Sequence, residues 1–249
     1  MGDFLLRDAS PLSAGEWQAL DQMVVGVARQ YLVGRRFIEL VGPLGMGVET
    51  VPVGAGDRRK YLELEVIQAD FRLIWRDVEA SRQACMPLEL GPAAMATAAC
   101  ARQEDAMIFG GLLAAAENSA PLGDWNQEGQ AFATVVAATQ ELVSDDFYGP
   151  YAVMLSPSLY AKTQRVVPSM GRLESKLIAD VAEGGLFRSP VLDADQGLVV
   201  SLGAFNLDLV VGQDLVTAYT GNDGMEHLFR VLESLVLRIK RPGAICKLT

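Results

Sequence analysis

Residues 92–117 read PAAMATAACARQEDAMIFGGLLAAAE, an alanine-rich run long enough to set the architecture of the chain. As a helix rising about 1.5 Å per residue it would extend about 38 Å, roughly twice the mean helix length. Its charged residues, Arg102, Glu104 and Asp105, interrupt the run rather than surround it. Because so little of this surface is polar, the pattern predicts one long helix that is largely buried.

A second helix is predicted near the start of the chain, over 13–32, with Ser10 or Ser13 as its cap. Five apolar residues at spacings of three and four would form its buried face: Trp17, Leu20, Val24, Val27 and Tyr31.

Two extended segments lie between these helices. Residues 42–60 are rich in glycine and proline and predict an extended, loop-like hairpin. Residues 61–76 alternate between apolar and polar side chains. They predict strands with one buried face, which would include Phe71, Leu73 and Trp75.

The rest of the chain alternates helices with short apolar runs. Five elements are predicted in this order: a helix over 127–143, a buried strand over 151–155, a helix over 157–166, a helix over 173–181 beyond a loop at 168–171, and a hairpin of 198–202 with 207–211 around Gly203. The last segment has the clearest strand pattern, because Phe229, Val231 and Leu235 share one parity. Apolar Leu232 and Val236 break strict alternation, so both faces of this strand are expected to be partly covered.

Composition limits the classes of partner. The chain has 249 residues, 31 acidic and 21 basic side chains and a net charge of −10. A basic surface is the usual footprint of nucleic-acid binding, and anionic membranes also attract basic segments, so neither partner is expected. Folding of a chain this long buries roughly 70% of the unfolded surface, so no disulfide or metal is needed to stabilise a core.

The cysteines and the apolar segments indicate a cytoplasmic protein. Cys85, Cys100 and Cys246 are odd in number and widely spaced, as expected for reduced thiols in the cytosol. The first residues, Met-Gly-Asp-Phe-Leu-Leu-Arg-Asp, lack the basic and apolar regions of a secretory signal. No apolar stretch approaches the roughly 18–20 residues that span a bilayer.

The residues do not compose a familiar catalytic site. His227 is the one histidine and has no nucleophile motif beside it, so a surface or turn position is preferred over catalysis. With three scattered cysteines it makes no closed zinc site, and no metal is expected. The glycine runs at 42–47 and 54–56 are interpreted as loops, because neither leads into a helix. The adjacent acids Glu104-Asp105 and Asp145-Asp146 are expected on solvated faces or in salt bridges between subunits, since neighbouring helical residues point in different directions.

Several segments, taken in order, resemble one family. They are FL (4–5) through PL (11–12), Trp17, YLVGRRF (31–37), GPLG (42–45), FRLIW (71–75), EDAMIF (104–109), GPY (149–151), EGG (183–185), GQDL (212–215) with Tyr219, and Pro242 after the last strand. No single segment is specific, but their colinear order over nearly the whole chain resembles the encapsulins. These are bacterial and archaeal shell proteins with the capsid fold of tailed phages.

The resemblance implies an α+β, phage-capsid (HK97-like) fold with a peripheral domain, an axial domain and a shortened E-loop. The expected divisions are 1–41 as N-terminal arm and helix, 42–70 as E-loop region, 71–121 as peripheral domain with the spine helix, 122–212 as axial domain, and 213–249 as C-terminal strands of the peripheral domain. Between Gly42 and Trp75 the chain is about a dozen residues shorter than the family pattern. The missing part would fall around 51–61, and it leaves open how completely a shell closes.

The implied function is a structural one. Copies of the chain, most simply 60, would form an icosahedral nanocompartment around a cargo enzyme such as a ferritin-like protein, a peroxidase or another redox enzyme. The cargo would be held through a C-terminal peptide, and pores would pass small molecules or ions. Two alternatives stay open: a phage-type major capsid protein of the same fold, and a soluble flavin-dependent or hydrolytic enzyme.

The resemblance also assigns residues to roles. Leu32, Arg35 and Glu39 match the cargo-peptide site, although Arg35 and Glu39 are also spaced for a structural ion pair. The pore loop would consist of Gln164, Arg165, Pro168, Ser169, Met170, Gly171 and Arg172. Its two arginines would form a positive ring or else pair with neighbouring acids.

Trp75 matches an aromatic residue that stacks a flavin, FMN, in some members. Gln68 stands where those members have arginine, so a tryptophan of the core or of an interface is preferred and no cofactor is expected in the shell itself.

Overall fold

The structure, a computed structural model, describes residues 4–84 and 86–249. The expectation of a reduced thiol at Cys85 therefore lies outside the described residues, as do the first three residues of the segment searched for a signal. Six α-helices are present in the described ranges: α1 (Ala14–Tyr31), α2 (Trp75–Ala84), α3 (Gly91–Ala115), α4 (Gln130–Ser144), α5 (Pro157–Lys162) and α6 (Glu174–Val181).

The strands form two large sheets and two small hairpins. In chain order the strands are β1 (Leu40–Val41), β2 (Thr50–Val53), β3 (Lys60–Glu63), β4 (Glu65–Ile74), β5 (Asn118–Ala120), β6 (Tyr151–Leu155), β7 (Val166–Val167), β8 (Arg172–Leu173), β9 (Gly185–Arg188), β10 (Gly197–Ser201), β11 (Leu207–Asp223), β12 (Glu226–Ile239) and β13 (Ile245–Leu248). The first sheet has the order β1-β11-β12-β4 and the second β5-β13-β10-β6-β9, while β2 pairs with β3 and β7 with β8.

The long helix predicted from the alanine-rich run is confirmed as α3, with Pro92 in its first turn. Neighbouring residues such as Cys100 and Ala101, or Ile108 and Phe109, are both buried. Neighbours on a helix point in different directions, so α3 is covered on more than one side. It packs against α1, β4 and β12, which makes it the centre of the first core.

An aromatic cluster joins the first sheet to the N-terminal helix. Phe229 on β12 is fully buried and stacks on Phe71 of β4, with ring centroids 5.3 Å apart and an interplanar angle of 14°. Trp17 of α1 meets the same ring edge-on at 5.7 Å, and Tyr219 of β11 lies at 5.3 Å. The parity that placed Phe71 and Phe229 on buried faces is confirmed.

The second core lies between the five-stranded sheet and α4, α5 and α6. All five residues of β6 and of β10 are buried, as expected for strands covered on both faces. Trp125 is one of the largest fully buried side chains here, and its indole N–H donates to the Thr134 hydroxyl at 3.2 Å.

The hairpin predicted for 198–202 with 207–211 is wrong. The first run forms β10 and pairs with β6 and β13, while the second opens β11 and pairs with β12 and β1. Gly203, at φ +133°, redirects the chain from one sheet to the other. Both runs are apolar and buried, and the sequence of such a run does not indicate which strand it will pair with.

The helix α2 was not expected, because the strand pattern was extended to residue 76. The strand β4 ends at Ile74, and α2 buries only Val78 among its described side chains. A helix so exposed has no apolar periodicity to detect. The helix predicted for 157–166 is also shorter and ends at Lys162.

The limits of the two sheets differ from those of the predicted domain divisions. The short strands β5 and β13 belong to the second sheet, although 71–121 and 213–249 were assigned to the peripheral domain. The strand β11 already enters the first sheet at Leu207, within the predicted axial range. Strands of three or four residues join a sheet through backbone bonds, which leave no trace in the side-chain pattern.

The glycine-rich segment after β1 contributes to a hairpin, but the second strand of this hairpin lies mostly beyond the predicted range 42–60. β2 and β3 pair in antiparallel register, with Val51 as the buried residue of β2. Arg238 of β12 donates from Nη1 to the carbonyl of Pro52 at 3.1 Å, so the hairpin is tied to the first sheet. In the described part of the chain, no helix combines the length and apolar character needed to cross a membrane.

The aromatic cluster predicts a large stability loss for Phe229→Ala. Removing a fully buried ring that meets three other rings should lower the free energy of unfolding by about 3–5 kcal/mol. Chemical denaturation of the variant measures this. Met225→Ala is the control, because Met225 is 62% exposed and its truncation should change little. Equal losses in the two variants would contradict the central position of Phe229.

Candidate functional site

A groove of about 440 Å³ runs beside the second half of α1. Its floor is apolar and is built from Val24 and Ala28 on one face of α1, from Leu32 directly after the helix, and from Leu215 of β11. Val25 stands at the edge and is 47% exposed. Three arginines and one carboxylate complete the lining: Arg29, Arg35, Arg36 and Asp214.

The start of α1 is fixed by a capping box. The Ser13 hydroxyl accepts from the amide of Glu16, and the Glu16 carboxylate accepts from the amide of Ser13. Arg82 of α2 also binds Glu16, and this hydrogen bond is the main reason that the pKa of Glu16 falls to about 2. Of the two predicted caps, Ser13 is the one used. Ala28 takes the buried place predicted for Tyr31, which is 41% exposed.

The chain after α1 is held by Asp105 of the long helix. Its carboxylate accepts from the amides of Val33 at 3.0 Å and Gly34 at 2.9 Å. Burial raises the pKa of Asp105 to about 6, against the lowering effect of these two amides. An added Cβ at Gly34 would lie 2.6 Å from Cδ1 of Ile108, so any side chain there would force the buried Ile108 side chain to move. The positions of Leu32 and Arg35, directly after α1, are therefore fixed.

Arg35 is the centre of an ionic cluster at the groove wall. Its Nη2 lies 2.8 Å from Oε2 of Glu104 and 2.7 Å from Oε2 of Glu233, and its Nη1 lies 2.6 Å from Oδ1 of Asp214. Glu104 and Glu233 have no exposed side-chain surface, and Arg35 is 13% exposed. We call Arg35, Glu104, Asp214 and Glu233 the Arg35 cluster.

Burial and charge act in opposite directions in this cluster. Burial favours the neutral form of Arg35, but hydrogen bonding and charge attraction from Glu104, aided by Glu233, leave its pKa above the usual value. Burial raises the pKa of Glu233 to about 9, and the neighbouring charge of Glu104 adds to this rise. Arg35 is therefore a fixed cation, whereas Glu233 favours its neutral form.

Two expectations about charged pairs are wrong. Glu104 and Asp105 do not lie on a solvated face or bridge subunits, because both are buried and bind partners within this chain. Arg35 does not pair with Glu39 either. The short 3-10 turn Gly34–Arg36 ends before Glu39, which is exposed and lines a separate depression with Pro150 and Phe205.

The structure thus brings together two of the three residues predicted for a peptide site. Leu32 and Arg35 line the same groove, and Glu39 does not. Asp214, Leu215 and Glu233 were not predicted. One signal for Glu233 was present, because it is a charged residue on the apolar parity of Val231 and Leu235.

The groove can accept apolar side chains between charged rims. Asp214 is 59% exposed, and its Oδ1 accepts from Arg35 and from the amide of Leu215, so the carboxylate is held in position at the rim. Arg36, which also lines the groove, donates to the carbonyls of Arg29 and Gln30. An apolar floor with oriented charges suits a short extended peptide.

The predicted pore-loop residues lie in and around the β7–β8 hairpin. Pro168, Ser169, Met170 and Gly171 form its exposed tip, and Gln164 is exposed before it. Arg165 binds Glu174 at 2.9 Å and donates to the carbonyls of Asn126 and Gln127. Arg172 binds Asp180 at 2.6 Å. Both arginines therefore pair with neighbouring acids, which was one of the two alternatives left open.

Trp75 is half-buried at the first residue of α2, and the guanidinium of Arg76 lies 5.5 Å from its ring centroid. Gln68 accepts from Nη1 of Arg230 at 3.1 Å. His227 lies in β12 opposite Leu73, away from the groove.

The Arg35 cluster predicts a strong effect for Arg35→Met. Removing the cation leaves two buried carboxylates without their partner, so the free energy of unfolding should fall by about 3–5 kcal/mol. The adjacent Arg36→Met is the control. Arg36 is exposed and, among the residues that the structure describes, its hydrogen bonds go to backbone carbonyls, so its loss should cost about 1 kcal/mol or less. Chemical denaturation of both variants compares them, and equal stability of the two would be inconsistent with the cluster as described.

Comparison with known proteins places the chain in a family. The family model described as "Encapsulating protein for peroxidase" matches residues 2–236. The type 1 encapsulin shell protein EncA of Myxococcus xanthus is 43% identical over 278 aligned positions, which cover 100% of this chain and 97% of the relative. The alignment is longer than the chain, so the relative has residues that this chain lacks.

Three further similarities agree with this match. A diheme-cytochrome-encapsulin shell fusion protein of Kuenenia stuttgartiensis is 35% identical over 94% of this chain and 72% of its own length. The virus-like particle from Pyrococcus furiosus shares the fold, with a TM-score of 0.81, 19% identity and coverage of 94% of this chain and 99% of that one. The capsid of the myophage XM1 also shares the fold, with a TM-score of 0.62, 10% identity and coverage of 87% of this chain and 90% of that one. The chain belongs to the encapsulin shell proteins, with the phage-capsid fold, and is a structural subunit rather than an enzyme.

Proposed function

We propose that copies of this chain, most simply 60, assemble in the cytoplasm into a closed icosahedral compartment around a cargo enzyme. The cargo would enter by binding its C-terminal peptide in the α1 groove, and small molecules would pass through openings in the shell. The single observation that carries this proposal is the preformed apolar groove with fixed charges on a chain of the encapsulin family.

The surface of one subunit supports assembly. Large apolar side chains are exposed at many places, among them Phe4, Leu6, Tyr61, Val66, Met95, Tyr148, Met170 and Phe205. The strand β4 is also an outer strand of the first sheet, with one edge free of strand pairing in the described part of the chain. Obligate assemblies cover such surfaces with large apolar interfaces.

Redox proteins are the class of cargo that the relatives favour. The matching family is described by its encapsulation of peroxidase, and the Kuenenia relative is named as a fusion of a shell to a diheme cytochrome. A peroxidase, a ferritin-like protein or another redox enzyme would therefore be the cargo here. Many copies of a weak groove in one shell would retain it through avidity.

The openings are proposed to be lined by the β7–β8 hairpin tip. Since Arg165 and Arg172 are engaged by Glu174 and Asp180, the tip offers mainly neutral atoms from Pro168–Gly171. Selection by size would then outweigh attraction of anions.

The shell is proposed to carry no flavin. One neighbour of the Trp75 ring is the guanidinium of Arg76, and the Gln68 side chain is engaged by Arg230. Trp75 would instead serve packing within or between subunits.

Purified full-length protein should therefore elute as large particles, and negative-stain microscopy should find hollow spheres of uniform size. The same preparation should be colourless, without visible flavin absorbance, and free of nucleic acid. A compact species of about 27 kDa under every buffer tried would contradict assembly, because single domains bury their apolar faces internally. Packaged nucleic acid would instead favour a phage-type capsid.

The groove predicts that Val25→Glu weakens cargo binding. A carboxylate at the exposed edge of the apolar floor should lower the affinity for the cargo peptide about tenfold or more. This corresponds to a loss of about 1.4 kcal/mol of binding free energy. The probe is a synthetic peptide with the C-terminal residues of the protein encoded beside the shell gene, and fluorescence anisotropy measures its binding to particles.

Gln30→Glu is the control for this experiment. It adds the same charge at an exposed position of α1 outside the groove lining, and it should leave the affinity for the peptide unchanged. Equal affinity of wild type and both variants would place the peptide elsewhere.

A further inference from the structure

The Arg35 cluster holds more buried negative charge than its one cation balances. Glu104 and Glu233 both bind Nη2 of Arg35 through their Oε2 atoms, so the two carboxylates are direct neighbours. Neither is exposed to solvent. Asp214 accepts from Nη1 of the same guanidinium, so Arg35 already binds a third carboxylate.

One oxygen of this cluster is unsatisfied. Oε1 of Glu233 is buried and has no hydrogen-bond partner among the described residues. Buried polar atoms without partners are rare because they cost free energy, and an ionised carboxylate costs the most. A proton on one of the two glutamates would remove the surplus charge and turn an acceptor into a donor.

We propose that Glu104 and Glu233 hold one proton between them, and that this proton makes the Arg35 cluster a latch that fixes the chain between α1 and β1 to the long helix. With the proton present, the buried part of the cluster contains one cation and one anion. Without it, two anions face each other behind the groove wall.

The charged and titratable groups around Glu233 come from four elements. Glu104 and Cys100 of α3, Arg35 of the 3-10 turn and Asp214 of β11 interact with Glu233 directly. Asp105 of α3, Arg36 of the 3-10 turn and Asp70 of β4, which is paired with Arg230, act on these neighbours. Burial raises the pKa of Cys100 to about 12, so its thiol stays neutral. Asp105 is bound to two backbone amides and does not contact Arg35 in the described contacts. The surplus charge therefore remains with Glu104 and Glu233.

The sign of the pH dependence follows from these values. The pKa of Glu233 is about 9 in the folded chain, against 4.5 for a free glutamate. Between these values the folded state keeps the proton and the unfolded state loses it. Stability from this group is complete below pH 4.5 and is lost as pH rises towards 9, with the folding constant falling about tenfold per pH unit.

Glu233→Gln tests the latch, because the amide imitates the protonated acid. Thermal unfolding of the full-length assembled protein is followed from pH 5 to pH 9 for wild type, Glu233→Gln and the control Glu226→Gln. Glu226 lies on the same strand but is 39% exposed and pairs with Arg72. The melting temperatures of wild type and control should fall in parallel as pH rises, and the melting temperature of Glu233→Gln should fall less. Parallel profiles for all three proteins would overturn the proposal.

Infrared spectroscopy tests it without relying on the folding of a variant. Wild-type protein at pH 7 should show the carbonyl band of a buried carboxylic acid, and the band should disappear as pH is raised past about 9. The absence of such a band at pH 7 would overturn the latch. Both measurements are independent of peptide binding, so their outcome stands apart from the proposed cargo function.

Discussion

The described structure depends on one buried guanidinium. Arg35 joins the turn after α1, the long helix and both strands of the long β11–β12 hairpin, whose contributing residues are 69 to 198 positions away in sequence. A buried ion pair adds little stability compared with apolar packing, but breaking it is costly. Its value here is geometric, because the same side chain that anchors three elements also forms the wall of the groove.

The helices and strands that could be predicted are those whose buried faces produce a regular apolar pattern in the local sequence. The long helix was evident because an alanine-rich run of 26 residues contains so few charges, and the strand β12 because alternation persists around Phe229. The strand partners of β10 and of β11 could not be predicted, because each run is apolar on both faces. Such runs fit a shared hairpin as well as separate sheets. The strands β5 and β13 are too short for any periodicity, and α2 is too exposed.

The candidate site divides in the same way. Leu32 and Arg35 were assigned to a peptide site through resemblance to a family, but their physical setting could not be predicted. Glu104 and Asp105 form an adjacent acidic pair in a helix, and locally that pattern is typical of a surface. Their partners are the amides of Val33 and Gly34 and the guanidinium of Arg35, and only the tertiary fold brings these groups to them. Glu39 does not pair with Arg35 for a related reason, because a 3-10 turn replaces the helix that its spacing from Arg35 assumed.

The internal balance of charge bears on how copies of the chain meet. Glu104, Glu174 and Asp208 are buried carboxylates, and each finds its cation within the same subunit, at Arg35, Arg165 and Arg238. A neighbouring copy is therefore not required to neutralise any of these three. What the subunit exposes is apolar side chains such as Tyr61 and Phe205. A subunit in which these three carboxylates have their cations, and in which a proton removes the surplus charge at Glu233, can fold before it assembles. Contacts between copies then need to cover only surface that water already reaches.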